Sequence, residues 1–198
     1  MVLFATGECG CSSGASTGRV GRELWRGCVG GLGALTTIGG MTQLPILHIA
    51  TDHAGLELSH HFIEHFSGLG YEVHDHGPQS YDPVDDYPAF CIAAAEAVAA
   101  DTSAGRFALG IVIGGSGNGE QIAANKVVGI RAALAWSEAT AKLAREHNDA
   151  NVVAVGARQH SVDEATQLVE WFVQEPFSAD ERHVRRIGQI ADYESHRR

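Results

Sequence analysis

The sequence has little positive charge. Its 14 lysines and arginines face 24 aspartates and glutamates, a formal net charge of −10. That balance excludes a broad nucleic-acid or anionic-membrane surface, although a local basic cluster can still hold a small anion. No apolar run approaches the ~20 residues that span a bilayer. The first residues carry no early basic region, and glycines and cysteines interrupt any apolar stretch, which argues against a secretory signal. Cysteine is scarce where a framework would need it. Of the four cysteines, Cys9, Cys11 and Cys28 lie in the first 40 residues and Cys91 stands alone. Cys9 and Cys11 have no second pair or nearby histidine to complete a zinc site. A reducing, cytoplasmic compartment fits this usage.

Histidine is missing from residues 1–40, which hold eleven of the 24 glycines and a net charge of +1. Residues 41–198 hold all eleven histidines, 13 glycines and a balance of −11. A body of that size is one ordinary domain with room for a real core. The 1–40 segment, rich in Gly, Ser, Thr and Ala with no sustained period, is expected to be disordered or loosely structured. Met41, followed by Thr-Gln-Leu-Pro, has the form of an alternative translation start, so the segment is read as an extension or a mis-assigned beginning.

From Pro45 onward strand-like and helix-like segments alternate. Strands are predicted at Ile46–Ala50, Tyr71–Asp75, Phe107–Ile113, Arg131–Trp136 and Asn151–Val155. The third is nearly continuous in apolar residues, as suits a strand buried on both faces. A first helix presents Leu58, Phe62, Phe66 and Leu69 on one face. A second begins near Tyr87-Pro88, and a third carries Ile122, Ala123 and Ala124. Ser137 caps a fourth, with Ala139, Leu143 and His147 in register. Capping boxes at Ser161–Glu164 and Ser178–Glu181 open the last two. The first of these presents Val162, Ala165, Val169 and Phe172 inward. Five β–α units in series imply a three-layer α/β/α, Rossmann-like fold around a five-stranded parallel sheet. Ligands of such folds bind beyond the carboxyl ends of the strands.

The loop after the third strand, Gly114-Gly115-Ser116-Gly117-Asn118-Gly119-Glu120, is the most informative. Its glycines let backbone approach a ligand and present N–H groups at a helix N-terminus, a nest for a phosphate or an oxyanion. The spacing is neither a dinucleotide fingerprint nor a P-loop. Glu120 either complements the helix dipole or, beside the nest, acts as a general base toward carbon. Asp52-His53, after the first strand, can hydrogen-bond a sugar hydroxyl or phosphate, or simply cap a helix. His147 stands at a helix C-terminus, either solvated or placed to protonate a ring oxygen. Arg158 follows the fifth strand. Arg182 and Arg186 share a helix face opposite Val184, Ile187 and Ala191, and two guanidiniums there can fork a phosphate. His74 and His76 share one side of a strand end, but no third ligand is apparent, so no metal is expected. His60, His61 and His65 are expected to be exposed, and Trp136 and Phe107 to belong to the core.

Taken together these residues resemble the type B ribose-5-phosphate isomerases, the family that includes galactose-6-phosphate isomerase subunits. The resemblance rests on Asp52-His53-Ala54-Gly55, Asp86-Tyr87-Pro88, Gly114–Gln121, Asn125-Lys126-Val127, Ala144–Asn148 and Arg182–Arg186, in family order over residues 46–194. Many members use a cysteine as base. This sequence has Ser116 early in the loop and Glu120 at its end, like the branch that uses glutamate, and Cys91 lies elsewhere. The resemblance implies Glu120 as base and His147 as ring-opening acid. It implies Asp52, His53, the Gly115, Gly117 and Gly119 backbone, Ser116, Asn118, Asn148, Arg158, Arg182 and Arg186 as substrate contacts. It also implies a homodimer with shared active sites, no metal or nicotinamide cofactor, and interconversion of ribose 5-phosphate and ribulose 5-phosphate through an enediolate. The same chemistry on a four- or six-carbon sugar phosphate is one alternative; a noncatalytic phosphate-binding module is another.

Overall fold

The computed structural model describes residues 44–196, together with the backbone of two short strands, β1 (Thr37–Ile38) and β2 (Met41–Thr42), which pair antiparallel. The expectation of loose structure for 1–40 otherwise lies outside the described residues. A parallel sheet follows, built from β3 (Ile46–Thr51), β4 (Val73–Asp75), β5 (Ala108–Gly114), β6 (Ala132–Leu134) and β7 (Val152–Gly156). Its spatial order is β4-β3-β5-β7-β6, with every pair parallel. The helices are α1 (Leu56–Gly68), α2 (Tyr87–Ser103), α3 (Asn118–Ala124), α4 (Glu138–Asn148), α5 (Val162–Gln174) and α6 (Glu181–Ser195).

Alternation along the central strands sorts side chains to two cores. Leu47, Ile49, Leu109, Ile111, Ile113, Val153 and Val155 face one side, where Leu58, Phe62 and Phe66 of α1 meet Leu168, Val169 and Phe172 of α5. The opposite side pairs Ala50, Val112 and Ala154 with Cys91, Ala94, Ala95 and Val98 of α2 and with Ala123 and Ala124 of α3. This is the expected three-layer Rossmann-like arrangement. Each fully buried Phe contributes roughly 1.5–3 kcal/mol through apolar burial. No helix among the described residues is long and apolar enough to cross a membrane.

Several expectations change at the edges. Leu69 is the exposed C-cap of α1 rather than a core residue, and Ile122 and Val162 face outward. In α4 the buried positions are Ala141, Ala144 and Arg145, while Leu143 and Ala139 are exposed. Trp136 is 67% exposed and Phe107 43% exposed, because both lie just beyond strands that are shorter than the apolar run. His60 is exposed as expected, but His61 and His65 are half-buried and bond Thr166 and Glu170 of α5. The Ser161 capping box is present. The one at Ser178 is not: Ala179 takes a left-handed φ of 56°, Asp180 becomes the N-cap, and Ser178 Oγ pairs with His183 Nδ1 at 3.1 Å instead. On α6, Val184 and Ala191 are exposed and Ile187 is half-buried among the described residues; the buried residue is His183.

The β3 side also holds a buried polar string. His48 bonds His76 at 2.9 Å and Asp101 at 3.2 Å, and Arg106 pairs with the other Asp101 oxygen. Burial holds both histidines below the ordinary imidazole value, against the pull of Asp101 on His48.

The end of α4 is pinned by a second buried charge. Arg145 is 3% exposed and donates to Asp149 Oδ1 and to Ala150 O, both at 2.7 Å. Asp149 also accepts from Arg131 at 3.1 Å and caps the helix with a left-handed φ of 43°. Burial pulls the Arg145 guanidinium below its ordinary value, and the Asp149 carboxylate opposes that. Asn tolerates the left-handed cap, so Asp149→Asn isolates the charge. Because Asp149 is partly solvated, the expected loss is about 1–3 kcal/mol, below the cost of breaking a fully buried pair. Urea unfolding checks this, and an unchanged midpoint would remove Arg145–Asp149 as the anchor.

Candidate active site

The sheet order fixes where a site can form. After β3 the chain moves outward to β4, then returns past β3 to β5, so the crossovers diverge between β3 and β5. A crevice opens there beyond the strand ends. Thr51 Oγ1 donates to Ile113 O at 3.0 Å and holds the two strand ends together. The loops carrying Asp52-His53 and Gly115–Gly119 flank this point, and the loop after β7 adjoins them. Ala157 N bonds Gly114 O at 2.8 Å, and Arg158 N bonds Gly115 O at 3.1 Å. The Arg158 side chain is therefore carried beside Gly115.

Two glycines in the loop are required by geometry. Gly117 has φ 81°, and a Cβ there would also press on Leu134 and the Val155 backbone. Gly114 has the Glu120 carboxylate packed against it so closely that any Cβ would overlap it. Ser116 Oγ accepts from Asn118 N at 3.4 Å and from Asn118 Nδ2 at 3.2 Å, which locks the turn. The N–H groups of Ser116 and Gly117 meet no acceptor among the described residues. They are donors available to an anion.

Glu120 is 5% exposed, on the first turn of α3. Burial pushes its carboxyl above the usual carboxylate value; its own backbone N–H works against this, and the Asp52 charge adds to it. A buried carboxylate of raised basicity, next to free amides, suits proton abstraction. Asp52 is also buried, its Oδ1 accepting from Ala54 N at 2.9 Å. Cys91 lies beneath both carboxylates. Burial first, then Glu120 and Asp52, push its thiol up to about 12, so it stays protonated and inert.

His53 is half-buried and bonds Asp85, a residue the sequence reading did not single out. Asp52, His53 and Asp85 place three potential ligand atoms within 4.8 Å of one another. The short contact within that group, 2.6 Å from His53 Nδ1 to Asp85 Oδ1, is a hydrogen bond.

The other expected residues lie elsewhere. α4 starts beyond the end of β6 and runs back before β7 begins, so its C-terminus is at the opposite end of the sheet. Eleven residues correspond to about 16 Å of helix. His147 and Asn148 are at that far end. The His147 ring lies against buried His183, with centroids 4.2 Å apart, which places the start of α6 there too. Arg182 and Arg186 are exposed on that helix. One chain thus brings together Asp52, His53, Gly115–Gly119, Glu120 and Arg158, and separately His147, Asn148, Arg182 and Arg186. His183 was missed because a histidine among arginines reads as surface.

A doubly wound parallel sheet with an amide nest and a buried basic carboxylate at its switch point defines an α/β enzyme-type site for a small anionic ligand. Comparison with known proteins narrows the class. Residues 47–190 match the Ribose/Galactose Isomerase family. The ribose-5-phosphate isomerase B of Mycobacterium tuberculosis is 55% identical over 148 residues, covering 75% of this chain and 89% of the relative. A probable ribose-5-phosphate isomerase B of Mycoplasma pneumoniae is 41% identical over 148 residues, 75% of this chain and 94% of the relative. The crystal structure of the Mycoplasma genitalium ribose-5-phosphate isomerase B with bound ribulose-5-phosphate superposes with a TM-score of 0.73. It is 40% identical, and the match covers 77% of this chain and 99% of that one. The chain belongs to the Ribose/Galactose Isomerase family.

The raised Glu120 carboxyl has a consequence for stability. Its ionised form is disfavoured in the folded state, so its contribution is fully present below the ordinary value of 4.5 and is lost as pH rises through the raised folded value. Glu120→Gln removes that loss. The variant is expected to melt above the native protein, by a margin that widens from pH 4.5 upward. Thermal unfolding across that range tests it; a margin independent of pH would mean the carboxylate is not disfavoured.

Proposed function

We propose that this protein interconverts ribose 5-phosphate and ribulose 5-phosphate through an enediolate, a step of the pentose phosphate pathway. The observation that carries the reading is the buried Glu120 carboxylate, made more basic by burial and set beside the free amides of the Ser116–Gly117 turn. Glu120 takes the proton from C2 of the open-chain sugar and returns it to C1. The loop amides hold the oxygen on which charge develops, and losing one such donor typically costs ~3 kcal/mol in barrier. Asp52, directly or through water, accepts the anomeric hydroxyl proton during ring opening. His53 and Arg158 contact the bound sugar phosphate. The isomerase domain is assigned to residues 41–198, which the family match over 47–190 supports.

In this reading one chain does not complete a site. His147, Asn148, Arg182 and Arg186 are assigned to the site of a second copy, His147 as the acid at the ring oxygen and the two arginines as the phosphate fork. The exposed apolar residues of α6, Val184 at 41% and Ile190 at 53%, support a partner covering that helix. A two-fold homodimer would then hold two equivalent shared sites.

Assay of the chelator-treated protein with ribose 5-phosphate tests the activity. Glu120→Gln and His147→Asn should each cut kcat by about a thousandfold. Co-expressed with separate tags, the two inactive chains should form mixed dimers with one intact site, restoring about a quarter of native activity. Native-like turnover by Glu120→Gln would eliminate the base, and a mixture as inactive as its parts would eliminate the shared site.

A further inference from the structure

The isomerase reading uses His53 as a substrate contact, and the inference here rests on that reading. Asp85 Oδ1 accepts two hydrogen bonds from this one residue, from the His53 backbone N–H at 3.0 Å and from the ring Nδ1 at 2.6 Å. The Asp85 side chain is only 10% exposed. Its other oxygen, Oδ2, is buried and has no hydrogen-bond partner among the described residues. The carboxylate therefore directs its hydrogen bonding at His53 alone. An ionised carboxylate only accepts, so the ring proton in this bond sits on Nδ1, and Nε2 is left for another partner. The tautomer and the plane of the ring are fixed together, since backbone and side chain of His53 are held by one atom. Tyr81 adds an edge contact to the ring, with centroids 6.3 Å apart.

We propose that Asp85 is a positioning residue for the isomerase: it fixes the orientation and Nδ1–H tautomer of His53, so that Nε2 is presented to the sugar phosphate. Asp85 itself does not touch the substrate. The same logic operates wherever a buried aspartate holds a working imidazole in one tautomer. It differs from a brace on the loop, which would need only the backbone bond.

Two measurements test this on the full-length, chelator-treated protein. The first is nitrogen–proton correlation of the histidine rings, with His53 identified by its loss in His53→Ala. The native ring should show a proton held on Nδ1 and exchanging slowly. Asp85→Ala should lose that signal, while Asp85→Asn, which keeps an acceptor, should retain it. A native His53 protonated only at Nε2, or a ring signal that appears only with added zinc, would overturn the assignment. The second is kinetics with ribose 5-phosphate. Asp85→Ala should raise KM about tenfold with kcat within about threefold, and Asp85→Asn should recover most of the loss. Asp85→Ala in the His53→Ala background should add no further loss, because the two act as one unit. An unchanged KM in Asp85→Ala, or losses that multiply in the double variant, would overturn the proposal. A native protein that shows the Nδ1 proton yet does not turn over ribose 5-phosphate would sink the isomerase reading and with it this role. The activity reading and the positioning role therefore fail separately.

Discussion

The Glu120 carboxylate lies against the Cα of Gly114, in space that any side chain would fill. That close approach sets the terms for the rest of the site. β5 ends buried along its whole length, so the strand delivers Gly114 to the crevice with no freedom to drift. The turn that follows has to reverse into α3 within a few residues, and Gly117 accepts the left-handed φ that this requires. The helix then returns Glu120 to the strand end it left. Burial there raises the carboxyl's basicity, and the Ser116 and Gly117 amides of the turn meet no acceptor among the described residues. A base that is costly to ionise and donors that are costly to leave unpaired are both relieved by a substrate that develops an oxyanion.

The same topology that builds the crevice keeps the second group of candidate residues away from it. Every helix that follows a strand runs antiparallel to it, so residues at the C-termini of helices collect at the end of the sheet opposite the strand termini. His147 and Asn148 are bound to that pole by the direction of α4. Buried Arg145, tied to Asp149 and Ala150, anchors the end of the helix there. The contact of His147 with His183 then sets α6 at the same pole, with Arg182 and Arg186 exposed beside it. In a two-fold dimer the two poles can meet without either chain deforming. On the proposed reading, shared sites are a consequence of parallel topology rather than an addition to it.

Much of this was legible in the sequence where the signal is local. Leu58, Phe62 and Phe66 announce α1 through their spacing, and the run Phe107–Ile113 announces the strand that the structure places, one residue on, at Ala108–Gly114. The glycine loop and Glu120 are adjacent in the chain, so their partnership could be read directly. Contacts between distant segments could not. His53 and Asp85 are 32 residues apart, and His48 and Asp101 are 53 apart; neither pair has a periodic signature. Hydropathy also misassigned α4, where aliphatic Leu143 is exposed and charged Arg145 is buried, because an ion pair and a carbonyl satisfy the guanidinium. Ser178 has the composition of a capping box, but the left-handed Ala179 shifts the helix start. One chain does not bring His147 to Glu120; on the proposed reading a second chain supplies it.

Charge offers a second argument for the proposed supply. The crevice of one chain contains Asp52, Asp85 and Glu120, with Arg158 as the nearby guanidinium at its rim. A sugar phosphate brings roughly two further negative charges at neutral pH. Free amides can hold one developing oxyanion, but they do not balance that phosphate beside three carboxylates. The thiol of Cys91 contributes no charge, because both carboxylates and burial keep it protonated. Among the described residues, Arg182 and Arg186 are exposed guanidiniums that could fork a phosphate, on a helix where Val184 and Ile190 are also exposed. On the proposed reading, the acidic crevice of one copy would meet the arginine-rich first turns of α6, which carry Arg182, Arg185 and Arg186, on the other. The concentration of carboxylates in the crevice thus supports the proposed dimer independently of the position of His147.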